Sequence, residues 1–198
     1  MRPVLAAPVA VVMLAIAGVA GGGTDRATRV HTLVAFNGGK VAAALTVRSR
    51  AQGECNIPSI VDPRPYAWRC VSGNGIFDPC FSGTATSRTV VCPDAPWSRR
   101  VIVLELGKPL SGWKLYPSHP SWPWGIWTTT GKRCYSIGGG AMGSMDGASV
   151  TFACKGGGYL VGRANAARSL WTIAYTPRLR PGEHGVALAH VGVADAWR

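Results

Sequence analysis

The sequence predicts a mainly β fold, an antiparallel β-sandwich or barrel-like domain with a disulfide-pinned, loop-rich segment, and three observations predict it. First, 26 glycines and 14 prolines among 198 residues interrupt the chain too often for long helices, because proline lacks the amide donor and glycine loses the most backbone entropy on folding. Second, apolar residues alternate over short runs bounded by turn residues, which is the pattern of half-buried strands. Third, the cysteines at positions 55, 70, 80, 92, 134 and 154 contain no C-x-x-C pair. An even count without closely spaced ligands reads as three disulfides, not as zinc binding or thioredoxin-like redox chemistry.

Taken in order, residues 1–23 (MRPVLAAPVAVVMLAIAGVAGGG) place a charge at Arg2 before an apolar run and small residues. That layout predicts a secretory signal peptide cleaved after Ala17 or Ala20. The alternative is an uncleaved signal anchor, because the run approaches the ~20 residues a membrane span needs. Residues 24–198 are then expected to form a single secreted β-rich domain. Residues 30–36 and 41–47 read as the arms of a hairpin around the turn Asn37-Gly38-Gly39. Residues 55–92 read mostly as loop, with a short strand expected at 89–92. Asp62-Pro63 and Asp78-Pro79 act there as turn initiators, since Asp bonds a nearby amide and Pro presets φ.

Residues 99–106 (RRVIVLEL) alternate well enough for a core strand. From Lys132 the spacing predicts an antiparallel meander over 133–137, 148–154, 159–162, 169–176 and 186–197. Within 148–154, Ala148, Val150, Phe152 and Cys154 are expected on one face. For the cysteines, Cys134 with Cys154 is the expected bridge between neighbouring strands, while Cys55, Cys70, Cys80 and Cys92 pair among themselves in one of three ways. Closing a loop of that size stabilises a fold by about 3 kcal/mol in the chain-entropy model.

Charge narrows the partners. Lys and Arg number 21 against 9 acidic residues, a formal charge of +12. For an exported protein such a field favours anionic envelope polymers, acidic glycans or lipid head groups over nucleic acid. The composition also fits an Arg-rich, high-GC coding bias. Catalytic patterns are scarce: G-x-S-x-G, H-E-x-x-H, Walker A and EF-hand motifs are absent from the sequence. No cofactor or metal site is expected. Of the four histidines, His119 is the leading catalytic candidate because it lies in the aromatic stretch, with Asp146 or Glu105 as its possible acid.

Residues 113–127, WKLYPSHPSWPWGIW, hold the candidate binding surface. Trp113, Tyr116, Trp122, Trp124 and Trp127 can form a platform for sugar rings or lipid tails, with Lys114, Lys132 and Arg133 meeting anionic groups. The competing expectation is that Trp113, Trp124 and Trp127 fill a core between sheets. Trp122, between Ser121 and Pro123, is expected to be exposed.

The order Cys55, Ser59-Ile60, Pro63-Arg64-Pro65, Ala67-Trp68-Arg69-Cys70, Asp78-Pro79-Cys80-Phe81 and Val91-Cys92-Pro93, followed by Cys134, Cys154, Leu170-Trp171 and Ala196-Trp197, resembles a family of exported actinobacterial six-cysteine proteins without an established activity. The likeness spans most of residues 24–198. It implies export and these cysteine positions, and no catalytic residue. The expected function is therefore that of a secreted or envelope-associated, non-catalytic protein binding an anionic or glycan component, of unknown oligomeric state. The alternatives are a secreted hydrolase using His119 with a nearby acid, and a sensory ectodomain on an uncleaved membrane anchor.

Overall fold

A computed structural model describes residues 26–111, 122–137, 143–180, 182, 184–185 and 187–198. The described residues form fifteen strands and no helix: β1 (Arg29–His31), β2 (Phe36–Asn37), β3 (Lys40–Val41), β4 (Thr46–Pro58), β5 (Ala67–Ser72), β6 (Gly75–Ser82), β7 (Thr89–Pro93), β8 (Arg100–Leu106), β9 (Gly125–Thr128), β10 (Arg133–Ser136), β11 (Ser144–Met145), β12 (Ala148–Cys154), β13 (Tyr159–Asn165), β14 (Trp171–Thr176) and β15 (Ala189–Trp197). The fold is all-β, and its strands close into two barrels.

The first barrel is a meander in the order β4-β5-β6-β7-β8. An odd number of meandering strands brings the first and last into parallel, and β4 does run parallel to β8, pairing along Thr46 to Gly53. The same long strand then pairs with β5 along Glu54 to Pro58. Trp68, Cys70, Cys80, Val90, Cys92, Ile102, Leu104 and Leu106 fill the interior. The indole N–H of Trp68 donates to Ser82 Oγ at 3.0 Å, so the largest buried ring leaves no polar atom unpaired. On the outer face, Ala67, Phe81, Val91, Val101 and Val103 pack beneath Ala35, Leu33, Phe36, Val41 and Leu45. Strand β8 is thus covered on both sides, which accounts for its nearly unbroken apolar run.

Residues 55–92 contain more strand than the sequence suggests, because β5 and β6 lie there beside β7. Proline inside a strand argues against sheet, but Asp78-Pro79 falls at an irregularity. Trp68 to Cys70 on β5 opposes Phe77 to Cys80 on β6, so the extra residue bulges and no ladder bond needs the proline nitrogen. Loops 59–66 and 83–88 remain. The expected hairpin is present around Gly38 and Gly39, with φ of 56° and 78°. Its arms are only β2 and β3; β1 instead joins β15 in the second barrel.

The second barrel runs β9-β10-β12-β13-β14-β15 in antiparallel pairs and closes where β15 meets β9. Ile126, Cys134, Phe152, Cys154, Leu160, Ile173, Val193 and Ala196 line its interior. The expected single face of β12 is divided. Val150 opposes Val161 while Phe152 opposes Leu160, so a bulge at Thr151 turns Val150 outward to pack with Met145 and Val161. Phe152 and Cys154 stay inside.

All three disulfides join neighbouring antiparallel strands: Cys55–Cys70, Cys80–Cys92 and Cys134–Cys154, with Cα separations of 4.0, 4.1 and 3.9 Å. The Sγ atoms of Cys70, Cys80 and Cys92 lie within 4.8 Å of one another because two bridges pack side by side in the first barrel. They are bonded sulfurs, not thiolate ligands.

The barrels meet through the turn between β7 and β8. Gly125 has no side chain, and Pro96 occupies that space: a Cβ on Gly125 would lie 2.1 Å from Pro96 Cβ. Trp124 packs at 6.2 Å on Phe81, and Trp97 meets Trp197 edge-on at 5.9 Å.

Replacing Gly125 by Ala is expected to destabilise the protein by about 1–3 kcal/mol, as overpacking does. Gly107→Ala, with open space around it and no positive φ, is the matched control in denaturant unfolding; equal midpoints would show that the barrels do not depend on this contact. Replacing Cys134 and Cys154 together by Ala is expected to cost about 3 kcal/mol in the same measurement.

Candidate functional site

Two adjoining cavities follow the seam between the barrels. The larger, about 620 Å³, is walled by Ile60, Val61 and Pro63 of the first barrel and by Trp122, Ser136, Ala148, Thr151, Phe152 and Arg163 of the second. The smaller, about 440 Å³, shares Val61 and Ser136 and adds Asp78, Asp94, Trp97, Trp124, Tyr135 and Lys155. These volumes suit ring-sized ligands.

The first-barrel wall is a loop held from within. Ser59 Oγ accepts the amides of Val61 and Asp62 at 3.2 and 2.9 Å and donates to Asp78 Oδ1 at 2.5 Å. Asp62 Oδ1 accepts the Arg64 amide at 3.1 Å, the turn expected from its place before proline. Arg64 pairs with Asp62 at 3.1 Å, lies 3.9 Å over the Phe81 ring and donates to the Leu33 carbonyl at 2.9 Å. Local hydrogen bonds therefore fix Ile60, Val61 and Pro63 where they line the cleft.

Burial sets the carboxylate electrostatics. It raises Asp62 above the ordinary carboxylate value despite the Arg64 charge, and pushes Asp78 up to about 6 against the Ser59 hydrogen bond and the Arg69 charge. Burial also works against the charge on Asp195. There, hydrogen bonds from Arg29 and His31, with their charges, outweigh it and hold the carboxyl low.

Asp195 belongs to a surface that register builds on the outside of the second barrel. Arg133, Trp127, Asp195 and Arg29 lie opposite one another across β10, β9, β15 and β1. The next row outward-facing along the same strands is Tyr135, Gly125, Trp197 and His31. Arg29 grips Asp195 with two bonds of 2.8 Å, His31 Nε2 lies 2.7 Å from the same carboxylate, and the His31 ring stacks on Trp197 at 4.8 Å. Histidine beside a carboxylate resembles half of a catalytic pair, but no hydroxyl or thiol hydrogen-bonds His31 among the described residues. Its evident work is to fasten β1 to β15.

The sequence-predicted residues divide among different surroundings. Trp113, Lys114, Tyr116 and His119 lie outside the described residues. Trp124 is 4% exposed and turned into the interface, with its Nε1 unpaired, so it belongs to the core and not to a platform. Trp122 is half-buried instead of exposed, because the Arg163 guanidinium lies 4.4 Å from its ring and Pro123 beside it is buried. Trp127 is half-buried on the outer face, with Arg133 at 4.4 Å from its ring and 6.0 Å from Trp97. Lys132 sits in the turn after β9, its amide bonded to Thr128 Oγ1. Among the described residues, the tryptophans share no single flat shelf. Asp146 sits in the turn before β12 and accepts the Gly185 amide, while Glu105 pairs with Arg50 on the first barrel. The proposed acids thus stand on different barrels.

Arg163, Lys155 and Trp97 escaped the sequence reading. Arg163 and Lys155 look like ordinary solvated charges, and only the hairpin that carries them brings them to the seam. Neither they nor Arg133 have a carboxylate partner among the described residues. Trp97 offered one signal, its place after a proline in a short turn.

The raised Asp78 predicts a pH effect. A folded value near 6, above the unfolded value of about 3.9, contributes stability that is present below about pH 4 and is lost as pH rises through about 6. Asp78→Asn is expected to lack that component, so the stability difference between mutant and wild type should change by about 2–3 kcal/mol from pH 4 to pH 7.5. A difference constant with pH, from urea unfolding at several pH values, would show that Asp78 is not shifted.

No family model, curated protein or solved structure matches this chain.

Proposed function

We propose that the protein is exported and non-catalytic, and that it binds an anionic envelope component, foremost an acidic glycan, in the cleft between its barrels. The observation that carries this reading is Arg163. Its guanidinium is exposed, has no acid partner among the described residues, and lies over the Trp122 ring at the lip of the larger cavity. Stacking restricts a long side chain in advance, so less entropy is lost when its N–H edges meet a carboxylate or phosphate. Apolar walls from Ile60, Val61 and Pro63 suit the hydrophobic face of a sugar ring, and Ser136, Ser149 and Thr151 supply hydroxyls.

Four further features support the same reading. Three disulfides and no free cysteine fit an oxidising compartment outside the cytoplasm. The leader-like residues 1–23 and the resemblance to exported actinobacterial six-cysteine proteins agree with it. The charge of +12 would gather polyanions at the surface before any specific contact forms.

Retention of the purified protein on cell-wall fractions tests the reading. Arg163→Ala and Trp122→Ala are each expected to weaken retention by roughly five- to tenfold, the scale of a lost charge-assisted contact, and retention should fall as salt rises. Equal retention of wild type and both variants would reject the cleft as the site.

A further inference from the structure

The two cavities run end to end, and their geometry fixes how a ligand would lie. The larger one is lined by Ala148, Ser149, Thr151 and Phe152, all within the first five residues of β12, with Arg163 on the partner strand. The smaller one continues past the shared residues Val61 and Ser136 to Lys155, the first residue after β12. At about 3.3 Å per residue, seven residues of strand span about 20 Å. A cation without a carboxylate partner among the described residues therefore stands at each end of one groove.

From this we propose that the groove takes a linear, polyanionic glycan lengthwise, with one acidic unit held by Arg163 beside Trp122 and a second, several units along, held by Lys155 beside Trp97. The inference rests on the reading of the cleft as a site for anionic ligands and adds that the ligand is a chain, not a single ring. Arg133 reinforces the Lys155 end: the Lys155 amide donates to its carbonyl at 2.8 Å, and its guanidinium stands 6.0 Å from the Trp97 ring.

The carboxylates of the smaller cavity do not oppose this arrangement. Asp94 is matched by Arg48 at 3.3 Å and Arg100 at 3.6 Å. The Asp78 side chain is 1% exposed, faces Ser59 and the Ile60 amide, and has Arg69 at 4.0 Å. Charge available to a ligand in the groove comes from Arg163 and Lys155, both on the exposed side of the second barrel.

Oligogalacturonides from the dimer to the octamer, linear chains with one carboxylate per unit, serve as the probe in calorimetric titrations, with neutral cello-oligosaccharides of equal length as comparators. Wild type, Arg163→Ala, Lys155→Ala and the milder Lys155→Gln are measured after confirming unchanged thermal melts. The dimer should lose affinity in only one of the two alanine variants, because it reaches one end. The octamer should bind the wild type at least tenfold more tightly than the dimer does and lose roughly fivefold or more in each variant, with Lys155→Gln reproducing Lys155→Ala. If dimer and octamer bind alike and Lys155→Ala is silent for both, the lengthwise arrangement is wrong while the Arg163 site stands. No binding of any length, or equal binding of the neutral chains, rejects the anionic-ligand reading as well.

Discussion

The contact on which the rest depends is Pro96 seated against Gly125. One barrel presents a turn, the other presents the one position in a row of bulky residues where no side chain stands, and the close approach lets Trp97, Trp124 and Trp197 interlock around it. Interiors pack like organic crystals, so a fit of this kind has few alternatives and holds the two barrels at one spacing. The cleft exists because that spacing leaves a seam beside the contact.

The seam is lined unequally. Its first-barrel wall is a proline-rich loop stiffened by Ser59, Asp62 and Asp78, whose polar groups are turned to the loop's own amides and to Arg64 and Arg69. Its second-barrel wall is strand and the turns beside it, carrying hydroxyls, an aromatic ring and cations without a carboxylate partner among the described residues. Such a division gives one rigid apolar side and one side able to bond a polar ligand, the usual composition of a site that binds a ring and senses its charge. The disulfides act one level below: they staple β4 to β5, β6 to β7 and β10 to β12, and so hold the strands from which both walls project.

The same strands show how registry assembles function-sized groups from distant parts of the chain. Arg29 and Asp195, separated by 166 residues, make two bonds because β1 lies beside β15. Arg163 reaches Trp122 across four intervening strands of sequence. Neither pairing has a local pattern, and each arises only when strands distant in sequence are brought side by side.

Residues of alternating character, turn makers and an even set of cysteines determined the β class, the strands at 100–106 and from 133 onward, the Gly38-Gly39 turn, and the Cys134–Cys154 bridge. These are matters of period two and of backbone angles that only certain residues adopt, and both act over a few residues. The tertiary structure decided the rest: the parallel closure of β4 on β8, the bulges that admit Pro79 and that turn Val150 away from Phe152, the burial of Trp124, and the arrival of Arg163 and Lys155 at one seam. A bulge shifts every later side chain to the opposite face, and barrel closure joins residues far apart in sequence; both depend on packing energies summed over the whole fold, which no short window of sequence contains.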